Sequence, residues 1–126
     1  MRLLVRARVY PTEDEKKVRK AIRKLFEVEI CREGEYLVGK SADRESLEKV
    51  HLLLRSQGIL DSARDIFLKK AEGNQLPITL NKQAAHTGAV NFHGHSYLGS
   101  IHVTITTSDI AELIDWLAPS TRGGKH

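Results

Sequence analysis

Arg2-Leu3-Leu4-Val5-Arg6-Ala7-Arg8-Val9-Tyr10-Pro11-Thr12-Glu13-Asp14-Glu15 changes its period at Pro11, and that change sets the fold class. Up to Tyr10 the pattern alternates. Leu3, Val5, Ala7 and Val9 fall on one face and Arg2, Leu4, Arg6, Arg8 and Tyr10 on the other, as in a strand with one side in a core. Pro11 stops the strand. Thr12 followed by Glu15 then has the form of a capping box, with Glu13 and Asp14 adding negative charge where a helix N-terminus favours it. Val18, Ala21, Ile22 and Leu25 recur at helical spacing as the buried stripe.

Working outward, the same two periods alternate along the chain. Residues 27 to 31 and 35 to 40 flank Glu33-Gly34 as a short hairpin. A helical stretch follows from Asp43, with Leu47, Val50 and Leu54 inward and Gly58 at its end. Helical spacing resumes over 60 to 71 through Ala63, Ile66, Phe67 and Lys70, until Gly73-Asn74. Leu76, Ile78 and Leu80 alternate with Pro77, Thr79 and Asn81 as a strand that runs into the loop Lys82-Gln83-Ala84-Ala85-His86-Thr87-Gly88. Ala89 to Phe92 and Leu98 to Thr106 read as strands, and a last amphipathic helix from Ser108-Asp109 buries Ile110, Leu113, Ile114 and Leu117 before Pro119. The expected fold is α+β: a mostly antiparallel sheet with helices packed on one face, forming a single domain over residues 1–119. Residues 120–126 read as a flexible tail.

Composition narrows the function classes. The chain of 126 residues, 40% hydrophobic and 29% charged, is long enough for one real core and too short for two. Its net charge of +4 is mild for a dedicated nucleic-acid binder. The charge is unevenly placed: residues 1 to 24 hold nine bases and three acids, so +6 lies there and −2 over the rest. Cys31 is the single cysteine, which excludes an internal disulfide or a thiolate metal cluster within one chain and suits a reducing cytoplasm. Neither a signal-peptide core nor a membrane-spanning apolar run is present, so a cytoplasmic protein without membrane association is expected.

Four segments carry a resemblance. Tyr10-Pro11-Thr12-Glu13-Asp14-Glu15-Lys16-Lys17-Val18, Leu60-Asp61-Ser62-Ala63-Arg64, Leu80-Asn81-Lys82-Gln83-Ala84-Ala85 and Leu113-Ile114-Asp115-Trp116-Leu117-Ala118-Pro119 are similar, in that order, to the archaeal uncharacterised protein family 0201. The resemblance implies a fold like that of an RNA-binding large-subunit ribosomal protein, and pairing as a homodimer. A more distant group with similar Thr-Glu-Asp-Glu and Lys-Gln-Ala-Ala segments has been called a predicted exosome subunit. Fold carries over by resemblance more firmly than activity does.

RNA or a ribonucleoprotein is therefore the first partner class to weigh. Arg6, Arg8 and Tyr10 share a strand face, offering charge for phosphate and a ring for base stacking. The same face, with Leu4 on it, equally suits a solvated surface or a dimer contact. Lys16, Lys20, Arg23 and Lys24 line one side of the first helix; they suit phosphates and suit the helix dipole equally well. Asn81, Lys82, Gln83, His86 and Thr87 supply donors in the loop after the 76–81 strand, where the structural alternative is a turn in which Ala84 and Ala85 pack and Asn81 satisfies local backbone. Trp116 reads as an aromatic at a helix edge that a partner subunit covers, or as one packed on its own sheet.

Catalytic and cofactor chemistry finds little support. His86, His93, His95 and His102 cluster in sequence without a carboxylate among them or a His-Glu-x-x-His helix, so no metal is assigned. No Gly-x-Ser-x-Gly elbow, phosphate-binding glycine loop or dinucleotide fingerprint occurs, and no catalytic residue or cofactor is assigned. Cys31 reads as an edge-strand residue among acids, and Asp61, Arg64 and Asp65 as helix-start and ion-pair residues. The reading is a non-enzymatic, homodimeric binding module that associates with RNA or a ribonucleoprotein. Its rival is a structural or protein-interaction dimer that never touches nucleic acid.

Overall fold

In the computed structural model, which describes residues 1–92 and 99–122, the first strand, β1 (Arg2–Arg8), lies at the centre of a five-stranded sheet. The alternation seen in sequence is the reason. Leu3, Val5 and Ala7 are wholly buried on one side while Arg2 and Arg6 are exposed on the other. Burying each Leu or Val side chain contributes about 1.5–3 kcal/mol. After β1 come α1 (Glu15–Leu25), the hairpin β2 (Glu29–Glu33) and β3 (Tyr36–Ser41), and a single 3-10 turn leading into α2 (Glu48–Ser56). There follow α3 (Leu60–Lys70), β4 (Gln75–Asn81), the short α4 (Lys82–His86), β5 (Ser100–Thr106) and α5 (Ile110–Leu117).

The strands run in the order β2-β3-β1-β5-β4, each antiparallel to its neighbours. Register carries one apolar row across the covered face: Ile30, Gly39, Val5, Val103 and Ile78 stand opposite one another in turn. Gly39 is the small member for a steric reason. A Cβ there would come 2.6 Å from the Val28 Cγ2, so Val28 occupies the space a larger residue would need. The helices lie over this face, inserting Val18, Ile22 and Leu25 from α1, Leu54 from α2, Phe67 from α3 and Leu113 and Leu117 from α5. The α+β fold with helices on one face is as expected from the sequence.

Two local expectations change here. Asp14, not Thr12, caps α1: its side chain accepts from the Lys16 N–H, and the preceding turn, closed by Glu13 N–H to Tyr10 C=O at 2.9 Å, leaves Thr12 before the cap. Residues 89–92 form no strand. The Gln57 side chain supplies the pairing instead, donating to the Val90 carbonyl at 2.9 Å and accepting from the Val90 N–H at 2.8 Å. Beyond α5, Thr121 donates N–H and hydroxyl to the Asp61 carboxylate of α3, and Arg122 pairs with Asp65 at 3.0 Å. Leu98 at the expected start of the last strand, the His93 and His95 pair and the end of the tail, residues 123–126, lie outside the described residues.

Candidate nucleic-acid interface

The acidic run Glu13-Asp14-Glu15 sits at the hub of the site, and its three carboxylates take different kinds of partner. Glu13 turns inward, where one oxygen accepts from the Tyr10 N–H and from the Lys82 ammonium, both at 2.9 Å. Lys82 also donates to the Arg8 carbonyl at 2.5 Å, so one ammonium joins the end of β1, the entry to α1 and the start of α4. Both side chains are removed from water, at 0% exposure for Lys82 and 6% for Glu13. Such a pair fixes geometry more than it adds net stability, because desolvation offsets most of the attraction. Lys82 is therefore not a surface donor, and Glu13 serves as its counter-ion rather than as a helix-dipole charge. Asp14 is the cap, and Glu15 pairs with Arg19 at 2.9 Å and Arg32 at 2.8 Å. Those two guanidiniums, Arg19 first, hold the Glu15 carboxyl below the usual carboxylate range.

Tyr10 closes this hub. Its ring centroid lies 4.7 Å from the Arg8 guanidinium and 5.0 Å from the Lys82 ammonium, within cation–π range of both. Gly99, at φ +88°, lets the chain pass close by, where a Cβ would come 3.0 Å from the Tyr10 hydroxyl oxygen.

On the open face of the sheet Arg6 and Arg8 are already engaged. The Arg6 guanidinium lies 4.1 Å from the Tyr36 ring centroid, and Arg8 pairs with Glu35 at 2.8 Å. Register extends the Arg6 row through exposed His102 and Thr79 on one side, and through Val38 to Cys31 on the other. The next row places half-buried Leu4 between Lys40 and Thr104. Val38 is buried although it belongs to this face, sheltered from solvent apart from the main core.

The helical layer differs. Lys16, Lys17, Lys20, Arg23 and Lys24 are all exposed on α1, and among the described residues none of them forms an ion pair with a carboxylate. α4 packs beside α1, and the Lys24 ammonium donates to the His86 carbonyl. Asn81 caps α4, its Oδ1 accepting from the Ala84 N–H at 2.9 Å, so the expected loop is a single helical turn; Gln83 remains exposed. His86 is half-buried. Burial pushes its imidazole below the ordinary value; Glu13 opposes this, and Lys82, Lys24 and Lys17 reinforce it.

The residues singled out by sequence thus divide. Arg6 and Arg8 lie on the open face, with Tyr10 at its end, while Lys16, Lys20, Arg23, Gln83 and His86 lie on the helical layer at the other side of the sheet. Asn81 and Lys82 serve the fold itself. Lys17 was not singled out, although it follows the helical spacing of Lys20 and Lys24 and that spacing was the available signal. Trp116 is half-buried with the His51 ring stacked on it at 4.5 Å and the Arg44 guanidinium 5.1 Å from its centroid, so its own chain already provides contacts. Among the described residues no group of three His, Cys, Asp or Glu side chains could hold a metal, and no helix is long and apolar enough to cross a membrane.

Comparison with known proteins adds the family. A family model described as RNA binding matches residues 2–107. The UPF0201 protein of Thermococcus onnurineus is 42% identical over 125 residues, spanning 95% of this chain and 93% of the relative. That of Pyrococcus abyssi is 43% identical, spanning 95% and 91%. Among solved structures, the UPF0201 protein from Methanococcus jannaschii superposes with a TM-score of 0.85 at 38% identity, covering 98% of this chain and 96% of its own. A DUF54 protein from Methanothermobacter thermautotrophicus does so with a TM-score of 0.58 at 26% identity, covering 93% and 96%.

Proposed function

This chain belongs to the UPF0201 family, whose matching model is described as RNA binding, and from that premise we propose that it is a non-catalytic, homodimeric module that associates with RNA or a ribonucleoprotein in the cytoplasm. The observation that carries the reading is the outer face of α1. Five cations stand there without carboxylate partners among the described residues, at helical spacings that let several meet successive phosphates. The open sheet face is the weaker RNA surface, since Arg8 is neutralised by Glu35 and Arg6 covers Tyr36. That face suits the homodimer contact, with half-buried Leu4 supplying apolar area; Trp116, already stacked within its own chain, is a poorer anchor than Leu4.

The test is binding to a mixed pool of single-stranded and structured RNA across a salt series. Affinity that falls steeply between about 50 and 200 mM salt is expected, from several phosphate contacts. Replacing Arg6 and Arg8 with Ala should leave most of that slope intact. Absence of binding even at low salt overturns the RNA reading. It would leave the rival, a protein-interaction dimer, which the internal contacts of Arg6 and Arg8 favour.

A further inference from the structure

The junction of α1 and α4 carries more than general positive charge. A cleft of about 250 Å³ lies there, lined by Thr12, Glu13, Asp14, Lys17, Val18 and His86. Of its four ionisable groups, Glu13 is neutralised by buried Lys82, and one oxygen of Asp14 is held by the Lys16 N–H. The remaining formal charges are those of Asp14 and Lys17, which oppose each other. His86 decides the sign. With a neutral imidazole the cleft is balanced; with a protonated one it is net positive and presents two N–H donors beside the Lys17 ammonium and the Thr12 hydroxyl.

Resting on the RNA reading above, we infer that this cleft takes one backbone phosphate between Lys17 and His86, and that protonation of His86 switches the grip on. The groups around the imidazole are Glu13, Asp14 and Lys17 from the α1 side, Lys82 from its own helix, and Lys24, which donates to the His86 carbonyl. In the free protein the environment disfavours the charged imidazole, burial first. A bound phosphate dianion or diester reverses that balance by placing an opposite charge against it. The sign follows from linkage: the complex binds a proton that the free protein lacks, so affinity rises as pH falls from the raised pKa of the complex toward that of the free protein, which lies below the ordinary imidazole value. The size is bounded by one proton, about tenfold per pH unit at most.

Two measurements test this. RNA affinity of the wild type is expected to tighten by about five- to tenfold between pH 8 and pH 6, the gain of one linked proton. His86→Gln should abolish that response, and Lys17→Ala should lower the salt slope by about one. Separately, NMR titration of the His86 imidazole, assigned by its loss in His86→Gln, should show its pKa raised by inorganic sulfate, a tetrahedral dianion that does not titrate in this range. If the protein binds no RNA but sulfate raises His86, the RNA reading fails and the anion site stands. If RNA binds with its pH response intact in His86→Gln, or sulfate leaves the His86 titration unmoved, the switch is overturned while the RNA reading survives.

Discussion

The loop entering α1 and the outer face of the same helix are built from equally charged sequence and meet opposite fates. In Glu13-Asp14-Glu15 every carboxylate finds a partner: a buried ammonium, a backbone N–H, two guanidiniums. Over the next nine residues Lys16, Lys17, Lys20, Arg23 and Lys24 find no carboxylate among the described residues. Charge that is satisfied internally shapes the protein, and charge left in water is free for a partner. The comparison assigns structure to the first region and recognition to the second, and substitutions in each should separate the two roles.

The largest effect belongs to the buried pair. Lys82→Met strands the Glu13 carboxylate away from water and should cost about 3–5 kcal/mol in urea unfolding. Adding Glu13→Leu should restore more than half of it, the remainder reflecting the acceptor lost to the Tyr10 N–H. A mild single-mutant effect would break the comparison, because Lys82 would then behave as a surface charge. Next comes the cap: Asp14→Ala should lose about 1 kcal/mol, whereas Thr12→Ala should stay within about 0.5 kcal/mol of wild type. Equal losses at the two positions would return the cap to Thr12. The smallest stability effect is expected on the ridge, where Lys16→Ala and Lys20→Ala should each change stability by less than about 0.5 kcal/mol. Each should nonetheless reduce the RNA salt slope by about one. Unchanged slopes would deny the ridge its role.

Sequence periodicity carried the architecture because strands and helices with one wet face must alternate at two and 3.6 residues. Leu3, Val5 and Ala7, or Val18, Ile22 and Leu25, could hardly lie elsewhere. The exact cap was less legible, since Thr12 and Asp14 are both competent acceptors and the choice depends on where the Tyr10–Glu13 turn closes. The helix at 82–86 had a signal that the loop reading passed over: Asn81 is a good cap, and Lys-Gln-Ala-Ala are strong helix formers. Lys82 and Glu13 offered none. They are brought together across most of the chain by the pairing of β1, β5 and β4, and no local rule distinguishes a lysine destined for burial from one left in solvent. The same holds for Gln57, whose amide replaces a strand partner for Val90. His86 was picked out by sequence as a donor, but the cleft it shares with Lys17 arises only when α4 is laid beside α1.

The strand order has a consequence for how the chain is made. Of the five strands β1 emerges first from the ribosome, and its pairing with β3 becomes available once residue 41 has also emerged. Its opposite edge must wait for β5, where Val5 meets Val103. Throughout the synthesis of α2, α3 and β4, a nascent intermediate therefore carries the future centre of the sheet as an open edge, with Leu3, Val5 and Ala7 only partly sheltered. Long-range closure of this kind slows folding and leaves an unpaired strand edge exposed to neighbours in the meantime. The last strand to be made thus finishes a sheet whose middle strand was the first.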